Sequence, residues 1–219
     1  MDVGPPYRSQ RRSHSDGFGL ASGGTVRACD RQAGHFRCPM AQAAAHTVAM
    51  QSAEAERLFD YVYWMRDVIL TAAQQLTDEA FRSTNSVGTR DLRSTLVHEL
   101  DVESSWRRRL RQANEESSNN DVELNAADFP NLESLASLWR SDEVVMRSWL
   151  ATLTDADLAS PPPDQPDKLP VNDYLLHVVG HAIEEFTESA LLLTHAGHSP
   201  GGIEFLKYAN RRRDPASDR

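Results

Sequence analysis

The chain has 219 residues, 40% hydrophobic and 7% aromatic, with 32 acidic against 23 basic side chains and a formal net charge of -9. That suffices for one globular domain with appendages, and the acidic balance argues against a nucleic-acid surface, which needs a concentrated basic patch. Two cysteines, Cys29 and Cys38, exclude a disulfide framework, and no apolar run approaches the roughly 20 residues that cross a bilayer, so cytoplasmic residence without membrane association is expected.

Residues 1–46 are rich in Gly, Ser, Arg and Gln with scattered apolar positions, and are expected to be a disordered N-terminal tail. Cys29, His35 and Cys38 lie in this tail, but without a Cys-x-x-Cys pair they give little signal for zinc. Met50 stands just ahead of the first periodic segment and is a candidate native start. A helical domain is expected over 47–212, with a disordered C-terminus at 213–219.

From Ser52 to Leu76 apolar residues recur at helical spacing (Leu58, Tyr61, Val62, Met65, Ile69, Leu76), predicting a first helix. After a polar break at Ser83–Gly88, a second helix is predicted from about Thr89 to Gln112, with Leu92, Leu96, Leu100, Trp106 and Leu110 on one side. Asn114–Pro130 is an acidic connection too polar for a core. Asn131 is a candidate N-cap for a third helix that carries Leu135, Leu138, Trp139, Met146 and Trp149 and stops near Leu153. The Pro-rich stretch Pro161–Pro170 forbids helix, and a fourth helix runs from about Val171 to His195, closing at Gly197. A short amphipathic piece, Ile203–Asn210, follows. The fold class is therefore all-α, a four-helix bundle, and the long second and third connections leave its topology open.

The segment His177-Val-Val-Gly-His181-Ala-Ile-Glu-Glu185 carries the chemistry. At about 100° per residue, His181 and Glu185 lie one turn apart on one stripe, with His177 a turn before, and Tyr174, Val178 and Leu192 share that stripe. Ionisable groups on an inward stripe must be paired or metal-bound, and an i, i+4 His/carboxylate pair is a natural half-site. A third ligand must come from a facing helix; His98 is the candidate by elimination, being the only histidine between Met50 and His177. Each feature also has an ordinary reading: a lone histidine at a stripe's edge as a hydrogen-bonded core residue, and a His-Glu pair as a weak ion pair. Trp106, Trp139 and Trp149 are expected in the core, with an interface as the alternative.

The run Thr95-Leu-Val-His98-Glu-Leu-Asp-Val-Glu103-Ser-Ser-Trp106 resembles the second helix of DinB/YfiT-like proteins, the DinB family. The run Leu176-His177-Val-Val-Gly-His181, followed by Gly197-His198-Ser-Pro-Gly, resembles the last helix and tail of that family, and the likeness covers about Met50 to Arg212. The resemblance implies a metal triad of one second-helix histidine and an i, i+4 pair in the last helix, hence His98, His181 and Glu185. Glu185 stands where most members have a second histidine, and Phe186-Thr187-Glu188 replaces the Arg-Gly-Gln that often follows. Either the site is a two-histidine, one-carboxylate variant or the metal has been lost in this branch, with His177 as reserve ligand. Zinc, nickel, iron and manganese all accept such donors.

Three protein ligands leave open positions on an ion, which is the arrangement of a catalytic site. The resemblance implies a low-molecular-weight thiol co-substrate, hence a metal-dependent thiol S-transferase or isomerase acting on a small-molecule substrate, and a homodimer. No general base stands out. The alternative function is a non-catalytic helical bundle that serves as a ligand-binding or interaction module.

Overall fold

A computed structural model describes residues 50–83, 90–111, 123–162 and 168–214. All belong to one unit, His46–Arg219. The expected N-terminal tail, with Cys29, His35 and Cys38, lies outside the described residues, as do 215–219 of the expected C-terminal tail.

Among the described residues every regular element is helical. The long helices are α1 (Ser52–Ala73), α3 (Leu92–Arg111), α4 (Leu132–Leu150) and α6 (Val171–His195). Between and after them lie α2 (Asp78–Phe81), α5 (Asp155–Leu158), a 3-10 turn (Ala126–Asp128) and α7 (Phe205–Arg213). The fourth predicted helix has its expected bounds. The second begins at Leu92, later than expected, because Asp91 caps it: its Oδ1 accepts the Ser94 N–H at 2.8 Å. Asn131 caps α4 as expected, accepting from Ser134 N at 2.9 Å. Three Arg in the last turn of α3 complement its C-terminal dipole. Gly197 takes a positive φ of 86° just past α6, which suits the chain reversal there. The one-turn α2 and α5 were not expected; each starts from a threonine, Thr77 or Thr154, whose hydroxyl accepts a backbone N–H.

The pairs α1–α6, α6–α3, α3–α4 and α4–α1 pack closely, so the long helices form a square in which α1 stands diagonally across from α3 and α4 from α6. Two of the three links between successive long helices therefore cross the diagonal. The apolar core comes from all four, with Phe59, Met65, Leu96, Leu100, Leu135, Trp139 and Phe186 essentially inaccessible. Trp139 and Trp149 are core residues, whereas Trp106 is half-buried.

This core is not purely apolar. Glu103 of α3 has no solvent exposure; it accepts from Tyr63 Oη of α1 at 2.5 Å and from Trp139 Nε1 of α4 at 3.1 Å. One carboxylate thus ties three helices. The guanidiniums of Arg66 and Arg147 both lie over the Tyr63 ring, at 4.9 and 4.8 Å from its centroid. Burial is the main cause that pushes the Glu103 carboxyl from 4.5 up to about 7, against the opposing hydrogen bonds from Tyr63 and Trp139.

A folded-state value above the unfolded one means that the native chain holds more protons between the two, so this contribution is full below about pH 4.5 and is lost as pH rises through about 7. In metal-free protein, the stability of wild type relative to Glu103→Gln should fall across that window by up to about 3 kcal/mol. Urea unfolding of both proteins at a series of pH values measures it; a constant difference would show that Glu103 titrates as an ordinary carboxylate.

Candidate metal centre

The most extensively packed helix pair, α3 and α6, carries the three residues singled out by the sequence. His98 projects from α3, and His181 and Glu185 from successive turns of α6. His181 Nε2 lies 3.3 Å from His98 Nε2 and 3.6 Å from Glu185 Oε1. One donor atom from each residue falls within 4.8 Å of the others, a grouping that could hold one metal ion. Metal–donor bonds of about 2.0–2.2 Å at tetrahedral angles set neighbouring donors roughly 3.4 Å apart, so the two shorter separations match an ion seated between the groups. Glu185 Oε2 is buried without a hydrogen-bond partner, a costly state that a cation would relieve. The residues present therefore fit a divalent ion.

Sequence reasoning gave Glu99 no role. It is fully buried, and its Oε2 lies 2.6 Å from His181 Nδ1. In the tautomer whose Nδ1–H donates to that carboxylate, the form a metal on Nε2 requires, the lone pair of His181 sits on Nε2, the nitrogen aimed at His98 and Glu185. The available signal was an acidic residue directly after a candidate ligand. On a helix the two neighbours differ by about 100°, so His98 reaches the site from the edge of the stripe while Glu99 reaches His181 from the core side.

Arg90, just ahead of α3, was also missed. Its Nη2 donates to Glu185 Oε1 at 2.7 Å. It lies ahead of Leu92, the first apolar residue of the predicted stripe, so no apolar spacing points to it.

Burial first, then the positive character of His98, His177 and Arg90, lowers His181 to about 4. Glu185 is raised by burial, with Arg90 opposing. Glu99 is pushed well above the usual carboxylate range by burial and by Glu103 and Glu185. A neutral imidazole is the form that a metal requires, and the surroundings of His181 favour it.

His177 takes no part in this grouping. It is exposed and packs edge-on against Trp106, ring centroids 5.5 Å apart, while Trp106 stacks on Tyr174 at 5.1 Å. The packing role applies, and the reserve-ligand role finds no support in the geometry. Beside the triad, His98 shares with Arg90, Ser94, Asp101 and Asn125 the wall of a cavity of about 570 Å³. That volume is within the range of small-molecule sites.

The family model of the DinB family matches residues 40–215. The uncharacterized protein YizA of Bacillus subtilis (strain 168) is 25% identical over 153 residues, which span 68% of this chain and 92% of that protein.

Replacing Glu99 by Gln keeps the shape but weakens the acceptor for His181 Nδ1–H, and should lower metal affinity about 10- to 100-fold. His177→Ala should leave affinity unchanged. Zinc titration against a competing chelator measures both; equal losses in the two variants would overturn the assignment of Glu99 as the residue that orients His181.

Proposed function

The chain belongs to the DinB family, and on that basis we propose that it is a divalent-metal-dependent enzyme whose ion is held by His98, His181 and Glu185 and whose co-substrate is a low-molecular-weight thiol, used in S-transfer or isomerisation. The supporting observation is the convergence of these donors from two helices beside an open cavity. When bound, a divalent ion supplies Lewis acidity that makes a thiol or water acidic enough to ionise near neutral pH.

The chain's own residues do the rest. Glu99, with Oε2 2.6 Å from His181 Nδ1, holds the imidazole so that Nε2 faces His98 and Glu185. Three protein donors would leave an ion with open positions, and the cavity lined by His98, Ser94 and Asn125 beside them would take a small substrate. Glu185 is buried and the two histidines are half-buried, so the charges of the site act partly out of bulk water, which strengthens their field.

A small-molecule partner, and not nucleic acid or membrane, suits the net charge of -9 and the absence, among the described residues, of any helix long and apolar enough to cross a bilayer. Cytoplasmic residence and a homodimer belong to the same proposal. Leu138 and Val145, seven residues apart on α4 and about two-fifths exposed, offer apolar surface for a dimer, and sedimentation velocity tests it.

Protein purified without an affinity tag should contain close to one divalent ion per chain, and His98→Ala should fall well below that. Thermal-shift titration with glutathione, bacillithiol and mycothiol should then show a rise for at least one thiol in the loaded protein only; a ligand at 100 times its Kd stabilises by about 2.7 kcal/mol. Substoichiometric metal unaffected by His98→Ala would instead favour the non-catalytic bundle.

A further inference from the structure

The charges in the cavity wall beside His98 are unevenly paired. Arg90 is engaged, its Nη2 donating to Glu185 Oε1 at 2.7 Å. Asp101 and Glu123 line the same cavity, and neither has a basic side chain within ion-pair distance among the described residues. Glu123 is exposed and solvated, but Asp101 is half-buried on α3. Its Oδ1 accepts the Leu124 N–H at 3.0 Å, which is the carboxylate's one hydrogen bond among the described residues. A carboxylate held in place, partly removed from water and without a counter-ion favours a cation that can reach it. Its position adds to its charge. Asp101 follows His98 by three residues on α3, so the two side chains project from one face of the helix, with Cβ atoms about 5–6 Å apart. Ser94, Val97, Leu124, Asn125 and Ala126 add no charge to the wall between them.

We propose that Asp101 selects a co-substrate thiol that carries a positively charged nitrogen two or three carbons from its sulfur. The sulfur lies toward the grouping of His98, His181 and Glu185, and the nitrogen pairs with the Asp101 carboxylate one turn along α3. A spacer of that length matches the separation of the two anchors, and a longer one would carry the nitrogen past Asp101 to the rim. Opposite charges at the two ends of the thiol orient it as well as hold it. The pair is half-buried, so it is screened less than one on the open surface. This inference deepens the metal–thiol reading of the site and rests on it. Asp101 is a specificity-determining residue here, and it acts with the contact between Arg90 and Glu185 left in place.

Cobalt(II)-loaded protein, titrated with thiocholine and with 2-mercaptoethanol, tests the idea through the sulfur-to-cobalt absorption in the near ultraviolet. The quaternary nitrogen of thiocholine has no lone pair, so it cannot chelate the ion as a primary amine could. The two thiols also differ in acidity, and comparing the ratio of their dissociation constants between wild type and Asp101→Asn removes that difference. The amide keeps an oxygen for the Leu124 N–H. The advantage of thiocholine should shrink about tenfold in Asp101→Asn with cobalt stoichiometry retained, and stay nearly unchanged in Glu123→Gln. A ratio unaffected by Asp101→Asn, or an equal fall in Glu123→Gln, would overturn the proposal. Asp101→Ser, whose hydroxyl also accepts, replaces the asparagine variant should the latter fail to fold. In the wild type alone the advantage should fall as salt is raised, and a salt-independent ratio counts against the charge pair. Absorption with neither thiol would remove the thiol reading itself and this inference with it, an outcome distinct from an unchanged ratio.

Discussion

The arrangement depends on a carboxylate that water cannot reach. Glu99 lies fully buried between α3 and α6, with Oε2 2.6 Å from His181 Nδ1 and its other oxygen without a partner. A buried acid of this kind costs several kcal/mol unless it is neutralised, and here neutralisation means sharing a proton with an imidazole. The two helices must hold these groups in register, because a shift of one residue would turn Glu99 by about 100° and leave both unsatisfied. The same constraint points His181 Nε2 at His98 and Glu185. The polar pair that the core must satisfy is therefore also the pair that sets the geometry of the donor triad.

One turn along α3, Glu103 extends this logic to the rest of the bundle. Its contacts with Tyr63 and Trp139 bring α1 and α4 to the same strip of α3 that α6 uses for Glu99. Trp139 in turn stacks on Phe186, the residue after Glu185, with ring centroids 5.8 Å apart. A chain of specific contacts thus encloses the strip, and apolar side chains fill the space between. Beyond Tyr63, Arg66 is 3% exposed yet pairs with Asp67 and Glu143, and Arg147 continues the network to Asp60 at the surface. Polar groups of this kind add little net stability, but each is satisfied by one helix arrangement only.

The sequence made the helices legible because apolar spacing reports directly on which face is buried. The bounds of α6 and the Asn131 cap could be read residue by residue, since Pro170, Gly197 and Asn131 are local signals with local causes. The grouping of His98, His181 and Glu185 could be anticipated for a different reason. His181 and Glu185 are one turn apart, and His98 had no competitor. What escaped were residues whose role depends on a neighbouring helix: Glu99 and Glu103 look like solvated charges in a stretch that also holds Asp101 and Arg107–Arg109, and only tertiary packing distinguishes those that turn inward. His177 shows the converse. It shares a stripe with His181 in sequence, yet one turn earlier α6 has reached Trp106, and the ring packs on that indole at the surface.

The division of labour between helices and connections follows from where each group is anchored. His98, Glu99, His181 and Glu185 sit in the middle of long helices, fixed by packing on several sides. Arg90 stands outside α3, directly ahead of Asp91, whose side chain caps the helix by accepting the Ser94 N–H. The opposite wall of the cavity comes from the chain returning toward α4, which is fastened to α3 by the Leu124 N–H on Asp101. Side chains on helices are positioned more rigidly than side chains on connections, which tolerate change at little cost to stability. Substitutions within α3 and α6 therefore act on the grouping of His98, His181 and Glu185 itself, and substitutions around Leu124 and Asn125 act on the cavity wall beside it. Arg90 joins the two, because its Nη2 donates to Glu185 Oε1 while the residue also lines the cavity beside His98.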